Sequence, residues 1–201
     1  MKKSLKLPTF LTYAFILVML IYFISIGNYE FIGYAVVVGL IFYIILLLDK
    51  KYDFPPSAIW FFAIWIASHF LGGAVYIGGT KLYDLVLINL FNGATISPEF
   101  VMLKYDQLIH AYCYFAFSII IYFILKKHMK SKQGPALVVF TILSAIGIGL
   151  LNEVIEFGMV IFADAAEAVG GYYNTALDLV FNLIGALIGT FYAHNLMNGK
   201  K

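Results

Sequence analysis

The stretch "YDQLIHAYCY", residues 105–114, sets an aspartate and a histidine one helical turn apart inside an otherwise apolar run. That run, roughly residues 98–125, is long enough to cross a bilayer, whose ~30 Å hydrocarbon core takes about 20 apolar residues of helix. An ionisable side chain at such depth costs about 2.5–3.5 kcal/mol on insertion scales. The fold turns on whether this stretch is a membrane span. If it is, Asp106 and His110 need a reason to be there.

Composition settles the first point. The chain has 201 residues, 63% hydrophobic and 12% charged, with mean hydropathy +0.92. Soluble domains carry about 25% charged residues, so this chain cannot cover itself with a polar surface. It reads as an all-α integral membrane bundle, a single transmembrane domain over residues 1–201 with membrane lipids as its surroundings. The net charge of +2 gives no reason to expect a nucleic-acid partner. Cys113 is the only cysteine, so no disulfide forms within the chain and the compartment is not legible from redox logic. The opening "MKKSLKLPTFLTYAFILVMLIYFISIGNYE" begins like a signal peptide, but its apolar run is too long and lacks a small-residue cleavage site. An uncleaved first span is expected.

Six segments reach spanning length: roughly 9–27, 30–48, 57–77, 98–125, 135–162 and 175–196. Between them lie "DKKYDFPP" (49–56), "KKHMKSKQGP" (126–135) and "GGYYNT" (170–175). Pro8, Pro56, Pro98 and Pro135 stand near proposed helix starts, where a missing N–H is harmless. Residues 78–97, "GGTKLYDLVLINLFNGATIS", are too interrupted to span and read as an ordered external loop with a short interfacial helix. Lysines set the orientation, because cytoplasmic loops collect them. With both termini inside, Lys2, Lys3, Lys6, Lys50, Lys51, Lys126, Lys127, Lys130, Lys132, Lys200 and Lys201 fall on the inner face. Only Lys81 and Lys104 fall outside. The expected location is the cytoplasmic membrane, with N- and C-termini in.

This orientation gathers the polar residues at one level. At a rise of 1.5 Å per residue, His69 lies ~12 Å from the outer end of span 3, and Asp106 ~10–12 Å into span 4 with His110 one turn deeper. Glu156 and Glu153 lie ~9 and ~14 Å from the end of span 5, and Asp178 and Asn182 ~5 and ~11 Å into span 6. Phase agrees: Asp106 and His110 point within about 40° of each other, Glu153 and Glu156 within about 60°. Asp178 and Asn182 share a face with Gly185 and Gly189, and His69 shares one with Tyr76. Small residues at Gly72, Gly73, Ala145, Gly149, Gly185 and Gly189 allow close helix approach. The acid-bearing faces are therefore expected to pack together around one outward-opening cavity.

Plainer explanations exist for each residue. Asp106 and His110 also fit a structural pair that holds helices in register. Asp178 also fits a cap for span 6, a task Asn174 or Thr175 would perform equally well. A lone His69 also fits a satisfied core histidine, and Cys113 a small hydrophobe. Glu153 and Glu156 are harder to explain structurally, because two carboxylates on one apolar face repel unless a proton, a cation or a basic partner intervenes. Asp164 and Glu167 belong to an outer loop, and His128 and His194 to the inner fringe.

"SHFLGG" (68–73), "YDQLIH" (105–110), "NEVIEF" (152–157) and "YYNTALDLVFNLIGALIG" (172–189) together resemble the VanZ-like superfamily of small polytopic membrane proteins, closest to its YjdF-type branch. The resemblance covers residues about 57–190 and places the family's polar positions on His69, Asp106, His110, Glu153, Glu156 and Asp178, with Asn182 matching the VanZ-type ending. Tyr173 stands where that branch tends to have tryptophan, and no basic residue follows Asp106 closely. The resemblance implies a role at the cell envelope without specifying a reaction.

Three functions are compatible with these residues. The first is a metal-dependent hydrolase or transferase acting on a lipid or lipid-linked substrate. Its metal ligands would come from His69, Asp106, His110, Glu153, Glu156 and Asp178, with Glu153, Glu156 and Asp106 catalytic and Asn182 and Tyr76 in support. Mixed imidazole and carboxylate ligands suit zinc, manganese or iron. The second is a proton- or cation-coupled transporter, against which stands the scarcity of polar residues on the inner half. The third is a non-catalytic lipid-binding protein whose polar cluster only packs helices.

Overall fold

The computed structural model describes residues 3–88, 103–129, 134–163 and 171–198. Its helices are α1 (Lys6–Ser25), α2 (Tyr29–Tyr52), α3 (Pro56–Ala74), α4 (Tyr105–His128), α5 (Pro135–Ala163) and α6 (Tyr172–Asn198). All six are long and apolar enough to cross a membrane, and the protein is a multi-pass membrane protein. The chain divides into two compact units, Met1–Tyr83 and Asp84–Lys201.

The first unit packs α1, α2 and α3 through aromatic rings. Phe23, Phe31, Phe42, Phe62 and Phe70 are each fully buried, and Gly73 lets α3 reach the Phe31 ring, which an added Cβ would meet at 2.0 Å. Local chemistry sets the boundaries. Asn28 caps α2 by accepting a hydrogen bond from the Phe31 N–H, and Asp49 accepts one from the Phe54 N–H just beyond its end. Pro56 opens α3, as expected of proline in a first turn.

Helix α3 stops at Ala74, three residues before the expected end of span 3. The chain then turns through a hairpin, β1 (Tyr76–Ile77) against β2 (Thr80–Lys81), tightened by Gly78 and Gly79 at φ +59° and +85°. Tyr76 consequently lies on an exposed strand rather than on a helical face shared with His69.

In the second unit β3 (Val86–Ile88) pairs antiparallel with β4 (Leu103–Lys104), and α4 follows directly. The sequence places a short helix in an external loop at 78–97. The described part of that loop, 78–88, instead holds strand residues and one 3-10 turn, Leu82–Asp84. Residues 89–97 lie outside the described residues, as do Pro98, Asp164, Glu167, Lys2, Lys130, Lys132, Lys200 and Lys201. Span 4 starts at Tyr105 rather than near residue 98, because Leu103 and Lys104 are held in the strand pair.

Helices α4 and α6 run parallel, since Gln107 meets Asp178 and Tyr122 meets His194, and α5 packs against α6 where Gly149 meets Asn182. Gly185 and Gly189 make the parallel contact close: added Cβ atoms would lie 2.0 Å from the Ala111 carbonyl oxygen and 2.3 Å from that of Phe115. This is the small-residue packing that membrane helices use when burial from water supplies no drive. The outward face of α5 carries exposed Leu150, Leu151, Val154, Ile155, Phe157 and Ile161, as a lipid-facing helix does.

Candidate functional site

The first turn of α4 starts a chain of side-chain hydrogen bonds whose directions fix one another. The Lys104 backbone N–H donates to Gln107 Oε1 at 2.8 Å, which identifies the amide oxygen, since an N–H can only donate. Gln107 Nε2 is then free to donate to Asn174 Oδ1 and to Asp178 Oδ1, each at 3.0 Å. Asn174 in turn presents Nδ2 to Asp106 Oδ2 at 3.1 Å and to Asp178 Oδ2 at 2.8 Å. Two amides thus hold two carboxylates between the heads of α4 and α6. Gln107 and Asp178 are completely buried.

One turn into α4, His110 faces both ways. Its Nε2 lies 3.7 Å from Asp106 Oδ1. Its Nδ1 lies 3.0 Å from Asn182 Oδ1 and 3.9 Å from Glu153 Oε1. Glu153 is 6% exposed, and neither of its carboxylate oxygens has a hydrogen-bond partner among the described residues. Glu156, one turn on along α5, accepts from Asn152 Nδ2 at 2.7 Å. Asp106, His110 and Asp178 form one group able to hold a cation, and His110, Glu153 and Glu156 a second, with ligand atoms within 4.8 Å of one another in each. Four carboxylates therefore surround one imidazole.

Five of the six candidate ligands from the sequence meet here. His69 belongs to the first unit. There its ring lies among Phe31, Tyr34, Trp65 and Phe70, and the Tyr83 hydroxyl hydrogen-bonds its Nδ1. Asn182, 1% exposed, sits against the imidazole. Asp178 is no helix cap: α6 begins at Tyr172, three residues earlier than expected, so Asp178 falls in the second turn. The late start of α4 also brings Asp106 into its first turn and His110 only ~8 Å from its end.

Sequence reasoning passed over Gln107 and Asn152 and took Asn174 only as a cap. The signal was present. Gln107 and Asn152 each adjoin an acid already singled out, and Asn174 precedes Asp178 by one turn. At the other end of the α4–α6 contact, Tyr122 Oη and His194 Nδ1 pair at 3.1 Å.

Residues 7–199 match the model of a family described as "Predicted membrane protein (DUF2238)". No curated protein and no solved structure matches the chain.

Proposed function

The chain belongs to this DUF2238 family of predicted membrane proteins, and on that premise we propose that it is a metal-dependent enzyme of the cytoplasmic membrane acting on a lipid or lipid-linked envelope substrate. The observation that carries this reading is Glu153: a buried carboxylate whose oxygens have no hydrogen-bond partner within 3.5 Å among the described residues, 3.9 Å from the imidazole of a four-carboxylate cluster. Such crowding is untenable without an added proton or cation. A mixed imidazole–carboxylate set suits zinc, manganese or iron, and a divalent ion there would supply Lewis-acid chemistry toward an ester or phosphoester. Glu153 is the residue that takes up a proton from the attacking water, and Glu156, held by Asn152, is its neighbour in relay.

The site runs inward from the surface at the N-terminal ends of α4 and α6 and the C-terminal end of α5, from Asp106 in the first turn of α4 to Glu153 and Asn182 ~15 Å from their helix ends. With the lysine-rich ends cytoplasmic, that surface is the outer one, where a lipid head group sits. The VanZ-like affinity belongs to the same proposal and rests on the four quoted motifs. Metal analysis tests the reading: purified protein, stripped and then offered Zn2+, Mn2+ or Fe2+, retains close to one ion per chain. No retained ion of any of the three ends it.

One observation favours a second reading, cation- or proton-coupled transport. Asn174, Asp178, Asn182, Thr190 and His194 recur at multiples of four along α6, and Thr190 and Asn182 are fully buried. Buried Thr190, and His194 paired with Tyr122, add polar groups to α6 beyond Asn182, where the sequence alone suggested few. Ion-driven or pH-driven flux in proteoliposomes, lost in Asn182→Leu, would establish transport in place of the enzyme.

A further inference from the structure

Two buried side chains beside His110 have polar atoms with no hydrogen-bond partner within 3.5 Å among the described residues. They are both oxygens of Glu153 and Nδ2 of Asn182, in residues 6% and 1% exposed. They come from different helices, α5 and α6, and both approach the same imidazole nitrogen. Asn182 Oδ1 lies 3.0 Å from His110 Nδ1 and Glu153 Oε1 lies 3.9 Å from it.

The chemistry of what fits between them does not depend on how the amide is turned or which ring nitrogen carries the proton. Turning the Asn182 amide exchanges its oxygen and nitrogen but still leaves one of them, and both Glu153 oxygens, to be satisfied. A bare cation or an ammonium suits the carboxylate but not an amide N–H. A hydroxyl both donates and accepts, so it suits either arrangement. A 3.9 Å separation of two polar atoms is one that a bridging water spans, and a buried water typically makes about three hydrogen bonds to groups of this kind. The surroundings favour the smallest such molecule. An added Cβ at Gly149, one turn before Glu153 on α5, would lie 2.9 Å from Asn182 Nδ2, so the α5–α6 contact beside the site has no room for a methyl group.

Resting on the enzyme reading above, we infer that water is bound between Glu153, His110 and Asn182 as the second substrate, so that the reaction is hydrolysis rather than transfer to another lipid. The water oxygen bonds to the carbonyl carbon or phosphorus of the ester while one of its protons passes to Glu153. The bond to the leaving oxygen breaks, and that oxygen takes the proton from Glu153, giving an acid and an alcohol. His110 and Asn182 orient the water. Three helices thus each supply one of its contacts.

Crystals of the full chain, grown with and without Zn2+, test this. Wild type is expected to show a light-atom peak about 2.6–3.2 Å from a Glu153 oxygen and from His110 Nδ1 or the Asn182 amide. Asn182→Asp, which keeps a polar partner, retains the peak, and Asn182→Leu loses it. With Zn2+, the anomalous peak lies about 2.0–2.2 Å from that water oxygen, as activation by the ion requires. The wild-type maps decide even where Asn182→Leu fails to fold. No light-atom peak at Glu153, Zn2+ bonded directly to Glu153, an ion more than about 4 Å from the water, or a peak that survives Asn182→Leu overturns this inference and leaves the metal reading standing. Crystals that keep the light-atom peak but take up no Zn2+, Mn2+ or Fe2+ overturn the metal reading and leave the water site in place.

Discussion

In the first unit the interior is ring against ring: Phe42 stacks on Phe62 with planes 9° apart, and Phe23 lies 4.8 Å from Phe31 between centroids. Its buried polar side chains, Thr12 and Asp49, serve their own backbone, at Pro8 and Phe54. In the second unit the helices meet through Gly149, Gly185, Gly189 and small alanines, and Gln107, Asn174, Asp178 and Asn182 bond from helix to helix. Lipid is as apolar as a phenylalanine core, so neither unit gains much by hiding apolar surface. Both rely on contact, but only the second combines close backbone approach with polar groups that need partners. The five clustered ionisable residues, Asp106, His110, Glu153, Glu156 and Asp178, all lie in the second unit, among other polar groups.

The contrast can be broken from either side. The largest effect is expected from Phe62→Ala. Deleting a fully buried ring leaves a cavity and forfeits its contacts, costing about 3 kcal/mol even where lipid solvates the unfolded form. Thermal unfolding in detergent should show that loss while Mn2+ affinity stays at the wild-type value. A parallel fall in affinity would mean that the first unit helps to hold the site.

Gly185→Val comes next, at about 2 kcal/mol, because its Cβ would collide with the Ala111 backbone, which cannot move aside alone. Here stability and Mn2+ binding should fall together, since Asp178 and Asn182 ride on the same helix. Gly39→Val in α2 is the control: nothing lies within 4 Å of its added Cβ, so the change should stay within about 0.5 kcal/mol. Comparable damage at both glycines would remove the distinction drawn between the units.

A change of opposite sign sharpens the second unit internally. Thr190 Oγ1 is buried without a hydrogen-bond partner among the described residues. Thr190→Val keeps the shape and removes the unpaired hydroxyl, so it should stabilise by up to about 1 kcal/mol and leave metal binding alone. A variant that is more stable yet abolishes flux in proteoliposomes would place Thr190 in a conduction path and favour transport.

Much of this was legible from residue order. The six helices follow from apolar runs of spanning length, and two of their starts from Pro56 and Pro135, as local physics requires. Asp106, His110, Glu153, Glu156 and Asp178 could be singled out because charge in an apolar run is costly wherever the run folds. The start of α4 was misread because Leu103 and Lys104 pair with Val86 and Ile88, a contact between segments fifteen or more residues apart. Gln107 and Asn152 went unweighted and Asn174 was read only as a cap, because an amide carries no charge to flag it and its role depends on what it faces.

Residue order alone therefore determined that this chain lives in a membrane, how many helices it sends through and which side chains are too polar to be there without cause. Tertiary structure decided which of them meet, that the carboxylates are held by amides, and that His110 turns Nε2 toward Asp106. The physical reason is one of range. Solvation cost and helix propensity act on each residue where it stands, whereas a hydrogen bond acts over about 3 Å and exists only once the folded chain has brought its two ends together.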